Sequence, residues 1–134
     1  MKLKVITPDL TVLELDNISS VTAESEEGQF GILPKHQPLT AALKLALLTY
    51  TIKGEQNNTN VLAIMGGVLQ TDGENVVVLS QAAEVAQNID EARAKQAEQR
   101  AKQRLAERTE EIDLHRAELA LGRAMTRLKA VSLR

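Results

Sequence analysis

The sequence predicts an α+β chain: an antiparallel β-sandwich or flattened barrel over residues 1–86, then a two-helix antiparallel hairpin over residues 87–134. Three observations lead there. Short apolar runs separated by turn signals recur through the first part, as expected for many short strands. From Asn88 to Arg134 there is no Pro, a single Gly (Gly122) and every arginine of the chain, with apolar residues at helical spacing. Charge divides at the same place. Residues 1–86 carry five Lys, no Arg and ten acidic residues, a net of −5, and residues 87–134 carry eleven bases and eight acids, a net of +3. Two parts with different chemistry are implied.

Leu3 and Val5 open the first strand, and Thr7-Pro8-Asp9 ends it, because Pro withdraws a ladder donor and fixes φ. Val12 to Leu15 follows, then a turn at Asp16-Asn17 and a strand from Ile18 to Ala23. Glu24 to Gly28 reads as an acidic loop, and Gly28 to Leu39, with two glycines and two prolines, as an ordered loop with rigid bends. Leu45 to Ile52 and Val61 to Met65 flank the polar hairpin loop Lys53 to Asn60. Its Asn57-Asn58-Thr59 matches a glycosylation sequon but reads as a polar loop tip. Gly66-Gly67 interrupts an apolar strand, so a bulge or a close backbone approach is expected there. Val68 to Thr71 and Asn75 to Ser80 flank Asp72-Gly73-Glu74, a hairpin signal because Asp-Gly tolerates positive φ. No helical pattern interrupts the strands, which argues against a parallel α/β sheet.

Composition narrows the function classes. The chain is 43% hydrophobic and 25% charged, and its only aromatics are Phe30 and Tyr50, so the core is aliphatic. Without cysteine, disulfides, thiolate metal sites and cysteine nucleophiles are excluded. No apolar run reaches the ~18 residues a membrane-spanning helix needs. His36 beside prolines and His115 on a charged helix form no triad or metal spacing. An enzyme and a protein-ligated metal are therefore not expected. Net acidity and two aromatics argue against nucleic-acid binding.

In the second part Asn88 is a good N-cap, with Glu91 three residues on as in a capping box. Asp90 and Glu91 also suit the positive end of the helix dipole. Ala94, Ala97, Ala101 and Leu105 form one stripe. Ile112, Ala117, Ala120, Leu121, Ala124, Leu128 and Val131 form a fuller second one. The joint Glu107-Arg108-Thr109-Glu110-Glu111 holds no Gly or Pro, so a closed hairpin and one long helix both remain open. Arg93, Arg100 and Arg104 run along one helix side, and Arg116, Arg123 and Arg127 along another. Like charges at i,i+4 cost about 0.2–0.5 kcal/mol per pair. The rows ask for a bound anion, an acidic partner surface or plain solvation.

The stretch Gly28-Gln29-Phe30-Gly31-Ile32-Leu33-Pro34-Lys35-His36-Gln37-Pro38-Leu39, followed by Met65-Gly66-Gly67, resembles the epsilon-subunit family of the F-type ATP synthase, in its Bacillus-like form. That resemblance covers essentially the whole chain. It implies a flattened sandwich of about ten strands docked on the gamma subunit and the c-ring, peripheral to the cytoplasmic face of the cell membrane without inserting into it. Gln29, Phe30 and His36 would then lie toward the rotor interface. The resemblance further implies that, with Gln29 where many relatives carry Glu, a polar c-ring contact would be weaker here or would be made by Glu26 or Glu27.

Ile89-Asp90-Glu91-Ala92-Arg93-Ala94 is similar to the family's ATP-binding motif. Carried over by position, the candidate ATP ligands are Glu84, Ile89, Asp90, Arg93, Ala94, Arg100, Arg123 and Arg127. Guanidinium groups suit phosphate oxygens, and the absence of a Walker A sequence speaks against hydrolysis. The resemblance implies ATP as a regulatory ligand, with or without Mg²⁺, that holds the hairpin folded. When ATP is scarce the helices extend along gamma, meet the catalytic beta and alpha subunits, and inhibit ATP hydrolysis. The competing reading is a stand-alone ATP-sensing or helical adaptor module with no affinity for gamma.

Overall fold

The computed structural model describes residues 1–55, 57–107 and 111–134. Eight strands, β1 Lys2–Ile6, β2 Thr11–Leu15, β3 Ile18–Ser25, β4 Gly28–Ile32, β5 Leu39–Ile52, β6 Thr59–Thr71, β7 Asn75–Leu79 and β8 Ala83–Val85, precede a 3-10 turn at Ala86–Asn88. Two helices follow, α1 Glu91–Glu107 and α2 Glu111–Leu133. Strand order is β2-β1-β7-β6-β5-β3-β4, with β8 also on β6. Every pairing is antiparallel except β1 with β7. That parallel pair joins Leu3 to Val76 and Val5 to Val78, residues far apart in the chain. Local alternation and hairpin signals cannot specify such a non-local pairing.

The expected ten strands are eight among the described residues because β5 and β6 each serve twice. Leu39–Leu43 of β5 pairs with Gly67–Thr71 of β6, and Leu45–Thr51 with Thr59–Met65. Beyond the glycine pair β6 takes β7 as its other neighbour; before it, β8. The two halves belong to opposite layers whose inner faces share one core: Leu3, Val5, Leu69, Val76 and Val78 against Ile18, Val21, Leu48, Leu62 and Ile64. Gly66 (φ 78°) and Gly67 (φ 133°) carry β6 from one layer to the other. A Cβ on Gly67 would overlap the carbonyl oxygen of Leu79 and lie 2.9 Å from Ser80 Cα.

Two segments expected as loops are partly strand. Glu24 and Ser25 belong to β3 and Gly28–Ile32 is β4, leaving Glu26-Glu27 as the turn. Pairing of Thr22 with Gly31 and of Ala23 with Phe30 overrides the poor strand propensity of the glycines. Only residues 33–38 are loop, tied to the β6–β7 turn by the Lys35 N–H donating to Gly73 O at 2.8 Å. In that turn the Asp72 carboxylate accepts from the backbone N–H groups of Asn75 (2.8 Å) and Glu74 (2.9 Å).

Val61, Leu62, Ala63 and Ile64 are all buried, although alternate residues of a strand face opposite ways. Leu62 and Ile64 enter the sandwich core. Val61 and Ala63 face outward into a second cluster with Ala86, Ile89 and Ala130, flanked by Leu47, Met65 and Val131. Helix α2 thus covers the outer face of β5 and β6. Helix α1 packs on α2 rather than on the sheet. Ala94 and Ala101 of α1 and Ala117 and Ala124 of α2 are buried, and small side chains permit close axes. The pair is the closed, antiparallel hairpin; its joint at residues 108–110 and the side chain of Ile112 lie outside the described residues.

The helix start differs from the expectation at Asn88. Asn88 ends the 3-10 turn, and Asp90 is the cap: its Oδ1 accepts from Arg93 N–H at 3.0 Å and its carbonyl from Ala94 N–H at 3.0 Å. Ile89, extended at φ −76°, must first enter the cluster beneath α2, so the helix cannot begin until that residue is buried. The N3 position is then Arg93, and no capping box with Glu91 forms. Along α1, Glu91 pairs with Lys95 at 3.1 Å and Glu98 with Lys102 at 3.5 Å, each at i,i+4 spacing.

Gly67→Ala combines about 1–3 kcal/mol of backbone strain with an overlap against backbone that cannot swing aside. A loss of about 3 kcal/mol or more is expected in urea unfolding; a loss below about 1 kcal/mol would contradict the close approach. The N–H groups of Asn75 and Glu74 hold the Asp72 carboxyl below its ordinary range. The stabilisation they give the turn is present above the unfolded-state value and is lost as pH falls through the lower folded-state value. An NMR titration of Asp72 should therefore show a midpoint below the ordinary aspartate value, returning to it on unfolding.

Candidate functional site

Where β8, the 3-10 turn and the two helices meet, a cavity of about 500 Å³ is lined by Glu84, Asn88, Ile89, Asp90, Arg93, Ala94, Ala97, Arg100 and Arg127. Three separate pieces of chain supply it. Glu84 comes from the strand that edges β6, Arg127 from α2, and Arg93, Ala94, Ala97 and Arg100 from one face of α1. Arg93, Ala97 and Arg100 recur at helical spacing, which puts both guanidinium groups on the same side.

Two carboxylates and three guanidinium groups border this space, and they are engaged differently. Arg127 Nε–H donates to Glu84 Oε1 at 2.6 Å, an ion pair that ties α2 to the sandwich. Asp90 is engaged with the α1 backbone through Oδ1. The side chains of Arg93 and Arg100 make no hydrogen bond or ion pair among the described residues. The cavity wall is thus polarised, with cationic α1 opposite a neutralised Glu84–Arg127 pair. The N-terminus of α1 adds its positive dipole end. A volume of this size lies within the roughly 300–1,000 Å³ of small-molecule sites.

Seven of the eight residues singled out for ATP line this one space. Arg123 does not; it is exposed on α2, one turn before Arg127. Sequence reasoning missed two lining residues. Ala97 could have been found from its place between Arg93 and Arg100, whereas Asn88 was assigned to capping. It also missed Arg134, whose Nη1 donates to the carbonyls of Ala86 (3.1 Å) and Ile89 (3.0 Å). Its only mark in the sequence is the seven-residue step from Arg127.

Gln29, Phe30 and His36 are not gathered into one patch. Gln29 is exposed and borders a groove of about 360 Å³ with Lys44, Thr126, Lys129 and Leu133, between β5 and the end of α2. Phe30, its neighbour on β4, packs against the sandwich core. His36 sits in the 33–38 loop with Nδ1 2.6 Å from Gln37 O. At the rim of the Gln29 groove, Lys44 Nζ pairs with Glu24 Oε1 at 2.9 Å. Among the described residues, no cluster of His, Cys, Asp and Glu could hold a metal ion, and no helix is long and apolar enough to cross a membrane.

Comparison with known proteins places this geometry. Residues 1–86 match the family model described as ATP synthase, Delta/Epsilon chain, beta-sandwich domain, and residues 87–132 match ATP synthase, Delta/Epsilon chain, long alpha-helix domain. The ATP synthase epsilon chain of Bacillus licheniformis is 40% identical over 128 residues, covering 96% of this chain and 95% of that one. That of Desulforamulus reducens is 42% identical over 129 residues, with 96% and 95% covered. Among solved structures, a chain of the Euglena gracilis mitochondrial ATP synthase (OSCP/F1/c-ring) superposes with a TM-score of 0.80 at 20% identity, over 98% of this chain and 80% of that one. A chain of the Tetrahymena thermophila mitochondrial ATP synthase central stalk and c-ring gives 0.61 at 16% identity, over 98% and 96%. At such identities the two structures speak for the fold alone. The family models and the sequence relatives, which run almost the full length of the chain, speak for descent: this chain belongs to the ATP synthase delta/epsilon family, with epsilon chains as its relatives.

Proposed function

We propose that this chain is a non-catalytic central-stalk subunit of an F-type ATP synthase at the cytoplasmic face of the cell membrane. In this reading residues 1–86 couple gamma to the c-ring, and residues 87–134 act as an ATP-sensitive brake on hydrolysis. The observation that carries the ATP part is the cavity in which Arg93, Arg100 and Arg127 converge with Glu84, Ile89, Asp90 and Ala94. Arg93 and Arg100 meet phosphate oxygens, for which the planar guanidinium is well shaped. Ile89 (4% exposed) and Ala94 offer the base an apolar wall without filling the space. Asp90 positions Arg93 by fixing the first turn of α1, and Glu84 positions Arg127. Arg123 lies outside the lining and adds its charge near the mouth. Mg²⁺, where present, arrives with the nucleotide, since both lining carboxylates are already engaged.

The same architecture supports a brake. α2 is seated on the sheet by Ala130 and the partly buried Val131, which cover Val61 and Ile89, and fully burying a side chain the size of Val61 or Ile89 is worth about 1.5–3 kcal/mol. α1 is held mainly by alanines, each worth far less. A ligand bound only to the closed hairpin stabilises it by RT ln(1 + [L]/Kd), about 2.7 kcal/mol at one hundred times Kd. Loss of ligand therefore weights the equilibrium toward separation of the helices. Extended helices would carry the arginine rows to the beta and alpha subunits. The rotor contact falls to Gln29 and His36, with Phe30 holding β4 in place.

Calorimetric titration of the isolated chain with ATP should give saturable one-site binding. Arg93→Ala and Arg127→Ala should each weaken it about tenfold or more, the range expected when a hydrogen bond to a charged group is lost. No saturation at millimolar ATP would defeat the sensor role. Co-purification with gamma decides separately between a stalk subunit and a stand-alone module: without gamma binding, the stalk role fails.

A further inference from the structure

Arg127 lies on α2 and Arg134 directly follows its last residue, Leu133, seven positions further on. They reach adjoining pieces of chain, Arg127 the strand β8 and Arg134 the turn that follows it. Arg127 Nε holds the Glu84 carboxylate at 2.6 Å. Arg134 Nη1 holds the carbonyls of Ala86 at 3.1 Å and Ile89 at 3.0 Å. The Ala86 carbonyl also accepts from Ile89 N–H at 3.3 Å, closing the 3-10 turn that leads into Asp90, the cap of α1. We infer that Arg134 is a positioning residue of the nucleotide cavity: it clasps α2 to the 86–89 turn and so sets Ile89, Asp90 and Arg93 against Arg127, without touching the ligand itself.

The physical case is that the turn is otherwise thinly held. It has no side-chain cap of its own, and its residue Asn88 is exposed. Ala86 and Ile89 are its two anchors beneath α2, and their carbonyls are the two that Arg134 binds. A guanidinium with two N–H groups on one nitrogen meets both carbonyls together, and a cation at the end of α2 is favoured by the helix dipole. The two arginines then divide the work. Arg127 lines the cavity and clasps; Arg134 only clasps.

The inference rests on the nucleotide reading for its consequence but not for its geometry, so the test begins without nucleotide. Hydrogen exchange of the full chain is compared for wild type, Arg134→Met and Arg134→Lys. Arg134→Met should speed exchange of α1 amides about tenfold while β1 and β7 keep wild-type protection. Unchanged α1 exchange overturns the clasp, and so does equal loss in the sandwich, which would make Arg134 a general stability residue. Arg134→Lys keeps the charge on a side chain one bond shorter and should restore protection only in part. Full restoration would assign the effect to the helix dipole and overturn the two-carbonyl contact. In a second arm, saturating ATP should return α1 of Arg134→Met to wild-type protection, whereas loss of the closed geometry even with ATP bound would overturn the division of work. Wild type that fails to bind ATP by calorimetry defeats the nucleotide reading alone, since the first arm has by then decided the clasp.

Discussion

Four consecutive buried residues, Val61 to Ile64, impose the constraint from which the rest of the architecture follows. A strand turns alternate side chains to opposite faces, so a run that is apolar at every position needs cover on both sides. The opposing sandwich layer covers Leu62 and Ile64; helix α2 covers Val61 and Ala63. The helical part is therefore bound into the fold through the outer face of the sheet. Ile89 completes that cluster, and its burial delays the start of α1 until Asp90. The position of Arg93, one turn further on, follows from the same requirement.

The sandwich meets a second geometric demand at Gly66-Gly67. Strands β5 and β6 stay paired through that point while passing from one layer to the other. Continuous pairing avoids exposing backbone donors and acceptors at the corner. It needs positive φ at both glycines and room for the Leu79 carbonyl against Gly67. The gain is one uninterrupted scaffold on which β8, and with it Glu84, is held at the edge of β6.

The two helices are fastened unequally, and the cavity lies between the firm one and the loose one. α2 rests on the sheet through Ala130 and Val131 and is pinned to β8 by Arg127 and to the turn after it by Arg134. α1 leans on α2 through Ala94 and Ala101. Guanidinium groups from both helices and a carboxylate from the sandwich share one space only while this arrangement holds. A site composed in that way reports on its own closure, because parting the helices separates its charges.

From the sequence alone came the β-then-helix order, the Asp72-Gly73-Glu74 hairpin, the special backbone at Gly66-Gly67 and the two alanine-bearing stripes. Each depends on neighbours within a few residues, where periodicity and turn chemistry act directly. The resemblance carried by Gly28 to Leu39 and Ile89 to Ala94 supplied the family and the candidate ligands, seven of which line one cavity. Only the tertiary structure decided the parallel β1–β7 pair, β4 as strand rather than loop, Asp90 rather than Asn88 as cap, Arg123 outside the lining and Arg134 on the 86–89 turn. These outcomes depend on contacts between residues tens of positions apart, where burial of Ile89 or pairing with β3 outweighs local preference. A choice between a closed hairpin and one long helix was likewise out of reach of residues 107–111. In this structure the hairpin is closed, with α2 covering the outer face of β6.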